Sequence, residues 1–258
     1  MRSFDELVSE ALAAPVSGWD FSWLGPGSRG GRLPWRYRRE VARRAAPAGT
    51  MLDMGTGGGE WLAALSPRPR RTVATEGWTP NVPVAARRLR PLGVAVVQDE
   101  GAPDNMAGDT TDRGRLPFRD GAFGLVANRH EAFRAAEVAR VLVPGGTFLT
   151  QQVDFRSYED VHRIVGLDAP EQPESWLPLA MQQVRDAGLI VQAAVRGEER
   201  QEFRDIGAVV YYLRVVPWAV PGYRFEACAA ALRAAHETAE MWPARFRQRR
   251  FLLVATKP

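Results

Sequence analysis

Residues 51–60, MLDMGTGGGE, decide how this chain of 258 residues is read. An apolar strand end runs into Asp53-x-Gly55-x-Gly57-x-Gly59, and a helix-like segment follows at once. Glycines at alternate positions let a strand-to-helix turn pass very close to a ligand, because a Cβ there would collide with it or forbid the backbone angles. An acid opens the run, and a second one, Glu76, ends the next expected strand, TVATEG at 72–77. Such a pair suits a ligand that offers hydroxyls and no phosphate.

Two phosphate-binding motifs compete with this reading, and both fail. In the dinucleotide fingerprint G-x-G-x-x-G the third glycine would fall on Glu60, whose carboxylate would repel a pyrophosphate at a helix N-terminus. The loop G-x-x-x-x-G-K-[ST] needs a lysine, and Lys257 is the only one in the chain.

Outward from the turn, strands and helices alternate. Strands are expected at 50–54, 72–76, 94–98, 122–128, 146–153, 189–195 and 251–256, and helices at 59–65, 80–90, 131–142 and 173–187. This pattern predicts an α/β fold: a seven-stranded, mainly parallel, doubly wound sheet covered on both faces. Residues 1–46, with helical spacing at 2–14 and 35–46 around a Gly/Pro/Trp-rich loop, read as an N-terminal helical and aromatic cap. The core is expected over 47–258, with a helical insertion at about 203–242 before the last strand.

Composition excludes several classes. Hydrophobic content of 45% and charged content of 25% are ordinary for a globular protein, and no apolar run reaches bilayer length. The acidic, amphipathic start MRSFDELVSEALAA does not have the layout of a secretion signal, and the lone Cys228 allows no internal disulfide, so a cytoplasmic setting is expected. Three histidines and one cysteine at distant positions give no expected metal site. A net charge of +4 rests almost entirely on arginine, with denser patches at Arg29–Arg44 and Arg245–Arg250. These suit either an anionic partner such as nucleic acid or solvated helix faces.

D-x-G-x-G-x-G plus the acid after the second strand resembles motif I and its partner in class I S-adenosylmethionine-dependent methyltransferases. LPFRDGAFGLVANRHEAF (116–133) and EVARVLVPGGTFLTQQV (137–153) look like the fourth- and fifth-strand motifs of that family, which read LPF-x-D-x-x-F-D-x-V and R-x-L-x-P-G-G in many relatives. The likeness covers about 50–155, and 173–258 by topology only. Gly124 stands where an aspartate is usual before the apolar core of the fourth strand.

The resemblance implies a Rossmann-like methyltransferase fold with S-adenosyl-L-methionine as cofactor. By that likeness Gly55, Gly57 and Gly59 lie against its methionine part and ribose, and Glu76 accepts the ribose hydroxyls. Asp53 orders the turn or contacts the ligand's ammonium. Trp78 lies on the adenine face or packs in the fold. The acid for the adenine amino group is Asp112, four residues before Leu116, with Asp104 and Asp99 as alternatives. Asn128 closes the cofactor set at the end of the fourth strand.

His130 is the candidate general base, with helix capping as its alternative. Arg129, Gln151, Gln152 and Trp23 are candidate acceptor contacts, Trp23 among the cap aromatics. The implied activity is methyl transfer to a small organic acceptor, such as a secondary metabolite, at an O, N or C atom. Two alternatives stay open: an RNA methyltransferase using the basic patches, and an inactive cofactor-binding interaction module. Oligomeric state is open too, with the apolar stretch 206–223 either a homodimer surface or buried within the monomer.

Overall fold

The computed structural model describes residues 2–16, 19, 21–25, 29–30, 33–102 and 114–258. The chain opens with helix α1 (Phe4–Ala13), strand β1 (Arg29–Gly30) and helix α2 (Tyr37–Ala48). It continues through β2 (Thr50–Met54), α3 (Glu60–Ala63), β3 (Arg71–Glu76), α4 (Val82–Leu89) and β4 (Ala95–Gln98). Next come β5 (Phe123–Arg129), α5 (Ala135–Val141), β6 (Leu142–Val153), α6 (Glu159–Val165) and α7 (Leu177–Asp186). The last elements are β7 (Ile190–Phe203), α8 (Ile206–Val215), α9 (Phe225–Glu237) and β8 (Ala244–Thr256).

Strand order is β1-β7-β8-β6-β5-β2-β3-β4. The seven expected strands are all present, and the two-residue β1, antiparallel to β7, makes an eighth. β2 pairs in parallel with β3 on one side and β5 on the other; β3 with β4 and β5 with β6 are also parallel. The chain thus winds outward from β2 in one direction and returns to wind outward in the other. That reversal is a topological switch point, and the carboxyl end of β2 lies on it. The Gly145 N–H reaches the carbonyl of Lys257, and the Asp154 N–H reaches that of Arg249, so β8 runs antiparallel to β6.

Contacts divide the chain into two compact units. One comprises 34–153, 176–196 and 251–258; the other comprises 1–33, 154–175 and 197–250. The first holds the parallel strands, whose central members β2 and β5 are buried along nearly their whole length, as strands covered on both faces must be. α2 buries Tyr37, Val41 and Ala45 and packs on β2, β5 and β6, within the unit that begins at residue 34.

Arg140 ties this unit's two loop motifs together. It bonds Asp120 at 2.7 Å, Glu137 at 2.7 Å, and the carbonyls of Leu116 and Phe118 at 3.0 and 2.7 Å. Gly124 has a packing reason to be bare: a Cβ there would stand 2.1 Å from the carbonyl oxygen of Ala48.

The second unit has its own apolar core, built by α1, α6, α8 and α9 with Phe203 and Phe246. Ser3 and Glu6 close a reciprocal capping box on α1, and the Asp205 carboxylate caps α8 through the Ala208 N–H at 2.9 Å. Apart from Arg214, α8 is buried throughout, so Ile206–Val215 of the stretch weighed as a dimer surface lies inside this unit, while Trp218 beyond it is exposed.

Three further differences from the sequence reading have simple causes. α5 begins at Ala135 rather than 131, because His130 takes a left-handed backbone and the chain after it runs irregularly. α6, which the sequence reading did not assign, is short. β7 and β8 extend far beyond their apolar parts, through RGEERQEF and ARFRQRR. There, cross-strand ion pairs accompany the Phe203–Phe246 contact: Arg245–Glu202 at 2.9 Å, Arg250–Glu199 at 3.4 Å and Arg249–Glu198 at 3.9 Å. The patch Arg245–Arg250 is therefore a strand with several of its charges answered, and neither a helix face nor an unopposed basic surface.

Candidate active site

The unit holding β2 to β6 carries the glycine turn. Gly57 takes φ +63°, which glycine alone adopts at no cost, and its N–H donates to Glu76 Oε2 at 2.6 Å. The Trp78 N–H donates to the other oxygen, Oε1, at 2.9 Å. Glu76 is thus buried, at 4% exposure, with each oxygen holding one backbone amide; burial raises its pKa above the usual carboxylate range. The turn is further pinned by Thr56 N–H to the Thr75 carbonyl and Gly55 N–H to the Thr75 hydroxyl, at 2.8 and 3.2 Å.

The other two glycines of the run face protein. A Cβ on Gly59 would stand 2.9 Å from the Leu89 side chain, so its bareness admits α4. A Cβ on Gly55 would stand 2.6 to 2.7 Å from the Cβ, Cγ and Oε2 of Glu131, so its bareness admits the Glu131 side chain.

Asp53 lies beneath the turn with no exposed surface, and burial pushes its carboxyl up to about 8 against the opposing pull of Arg129. Several buried polar atoms at this end of the sheet are poorly satisfied among the described residues: Asp53 has only the Thr56 side chain, the Tyr37 hydroxyl only the Asn128 backbone, and Asn128 Nδ2 has no hydrogen-bond partner. Leaving such groups unpaired costs about 1–3 kcal/mol each, so the set fits a polar guest.

Past β5 a connected network appears. Asn128 Oδ1 accepts from Thr150 Oγ1 at 2.8 Å and Gln152 Nε2 at 2.6 Å, and Gln152 Nε2 also donates to the Glu131 carbonyl at 3.0 Å. Gln151 Oε1 accepts from Trp35 Nε1 at 2.8 Å, which turns its amide nitrogen to His130 Nε2 at 3.1 Å. In that arrangement His130 Nε2 is the acceptor and Nδ1 carries the proton. His130 holds φ +64°, rare for a residue with a Cβ. Strain of this kind gathers at functional sites.

Other expected residues fall as follows. Trp78 follows Glu76 with 48% of its surface exposed. Arg129 lies over the Tyr37 ring at 5.8 Å and interacts with Asp53. Asp104 and Asp112 lie outside the described residues. Asp99 follows β4 and interacts with Glu131; burial raises its pKa. Trp23 belongs to the other unit, where it stacks on Tyr211 at 4.6 Å. Sequence reasoning missed two residues here. Tyr37 reads as one more apolar position of a helix, and Glu131 reads as one more polar residue before α5.

Fold and site together define a Rossmann-like α/β protein with a glycine turn and acids at its switch point. Residues 52–150 match the profile of a family described as a methyltransferase domain. Residues 52–150 thus carry a methyltransferase domain. Among solved structures, a protein from Bacillus halodurans C-125 provisionally named a methyltransferase is similar over 86% of this chain and 98% of its own, at 19% identity and TM-score 0.56. The YcgJ protein of Bacillus subtilis is similar over 86% and 97%, at 19% identity and TM-score 0.57. The [4+2]-cyclase SpnF is similar over 98% and 93%, at 18% identity and TM-score 0.50. At these identities the likeness is one of fold. A comparison with curated proteins gave no match.

Proposed function

We propose that this methyltransferase uses S-adenosyl-L-methionine and acts on a small organic acceptor. The observation that carries the reading is the buried Glu76 carboxylate, fixed beside the glycine turn by the amides of Gly57 and Trp78. A carboxylate oxygen has lone pairs to spare after one backbone bond, so Glu76 can still accept two vicinal hydroxyls of a ribose. The arginine that reaches the turn, Arg88, is taken up by the Gly58 carbonyl and Glu60, and the acids around the turn favour a cation.

In this reading Glu76 would hold the ribose, the exposed Trp78 ring would cover the adenine, and Asp53 would order the turn. The cofactor supplies an electrophilic methyl group on a sulfonium. The protein's part is to hold the acceptor in line and keep water away. Where the acceptor must lose a proton, His130 is the base. Its accepting nitrogen is engaged by Gln151, so that contact has to yield first. Gln151 positions the imidazole, and Gln152 with Asn128 fixes the backbone on which Glu131 stands.

The RNA reading is weaker, because Arg43 and Arg44 share Glu40 and the 245–250 patch is paired across strands. A non-transferring reading has one observation in its favour: the engagement of His130 by Gln151. A fold alone does not fix chemistry.

The test has two parts. Calorimetry with S-adenosylmethionine should show binding to the intact chain, and incubation with methyl-labelled cofactor should label a metabolite fraction rather than total RNA. Label in RNA with steep salt dependence would favour the nucleic-acid reading. Binding without any transfer would favour the inactive module.

A further inference from the structure

We propose that Glu131 is the side chain that meets the positive charge of the ligand at the glycine turn, so that a cationic cofactor is preferred over its neutral counterpart and displaces a proton as it binds. This rests on the cofactor reading above and goes beyond it by naming a residue, a charge preference and a coupled proton.

Placement carries the argument. Glu131 follows β5, yet its side chain is laid across two other segments. Its stem and Oε2 occupy the space in front of Gly55 in the turn after β2, and Oε1 lies 2.7 Å from where a Cβ on Gly101, past β4, would stand. Two glycines at positive φ, +65° and +70°, are needed to admit this one carboxylate. Its backbone is held by Gln152 through the carbonyl, and Gln152 is in turn bonded to Asn128. The carboxylate is therefore a built part of the cradle and not a surface acid that happens to lie near.

Charge supplies the rest. Among the described residues, the titratable groups facing Glu131 are Glu76 at the end of β3 and Asp99 past β4, both acids. No cation pairs with Glu131 among the described residues. Burial, with those two neighbours, pushes its carboxyl up to about 7, so near neutrality a proton is shared at this point. A sulfonium brought into the same space does the proton's work of neutralisation and releases it. The thioether product lacks the sulfonium charge and gains less from the contact.

The experiment is calorimetry on the full chain at about pH 7, in two buffers of different ionisation heat, with S-adenosylmethionine and with S-adenosylhomocysteine. The wild type should release about half a proton with the sulfonium ligand and clearly less with the thioether. Glu131→Gln keeps the shape and removes the charge. It should bind the thioether within about twofold of wild type, which shows that the cradle is folded, while affinity for the sulfonium falls about tenfold and proton release is lost. Binding of S-adenosylmethionine without proton release, or unchanged discrimination in Glu131→Gln, overturns the role of Glu131 and leaves the cofactor reading standing. No binding of either ligand to the wild type overturns both.

Discussion

The Gly57 amide and the Glu76 carboxylate meet at 2.6 Å across nineteen residues of sequence, and this bond sets the shape of the turn. Glu76 therefore has two tasks, to hold the turn and to hold the ligand. Glu76→Ala should weaken S-adenosylmethionine binding at least tenfold. Glu76→Gln should do nearly as badly, since its amide nitrogen would face one of two backbone N–H donors. Calorimetry on both variants checks this. A Gln variant with wild-type affinity would mean that the two amides do not fix the carboxylate.

Burial of Asp53 and Glu131 gives the fold a defined response to pH. Both carboxyls are raised in the native state, to about 8 and about 7, above ordinary values of 3.8 and 4.5. Between those limits the native state binds more protons than the unfolded chain, so stability falls as pH rises. Glu40 and Glu137 are lowered, by the side-chain bonds of Arg44 and Arg140 respectively, and their contribution is lost only at more acid pH. Melting temperature should be on the order of 5 °C higher at about pH 5.5 than at about pH 8.5. In Asp53→Asn the difference should shrink. A melting temperature that rises steadily through that window would contradict the burial of these acids.

Gly124 turns a departure from the family pattern into a packing statement. A methyl at this strand position would meet the Ala48 carbonyl at the end of α2, while the Gly124 N–H is bonded by the Thr50 hydroxyl at 2.8 Å. Neither neighbour can retreat without moving α2. Gly124→Ala should cost about 1–3 kcal/mol, or roughly 2–10 °C in melting temperature. Thermal denaturation decides it, and a neutral substitution would show that α2 gives way easily.

Much of this was legible in the residues because the parallel strands are short apolar runs between turn signals, and the glycine run marks the switch point. The place of Glu76 at a strand end could be read directly. Other features were hidden for physical reasons. β7 and β8 extend by pairing arginine with glutamate across strands, which leaves no apolar alternation on Arg196–Glu202 to read. Glu131 and Tyr37 acquire meaning only when the fold sets one against Gly55 and the other near Asp53. The three glycines looked equivalent in sequence, yet Gly59 is bare for Leu89, Gly55 for Glu131, and Gly57 for the bond to Glu76.

His130 combines a left-handed backbone with an imidazole held by Gln151, and the two features make separable predictions. Left-handed backbone costs a residue with a Cβ about 1 kcal/mol, and glycine is exempt. His130→Gly should therefore be more stable than His130→Ala by about that amount, with part of the gain offset by the freer unfolded chain. Both variants should keep cofactor affinity. If the acceptor loses its proton to the imidazole, both should also lose turnover by roughly a hundredfold. Gln151→Ala frees Nε2 but lets the ring wander, so it should raise the Michaelis constant less than it lowers turnover. Wild-type turnover in His130→Ala would remove the imidazole from the chemistry and leave its strained backbone as a device for directing the chain from β5 toward Glu131.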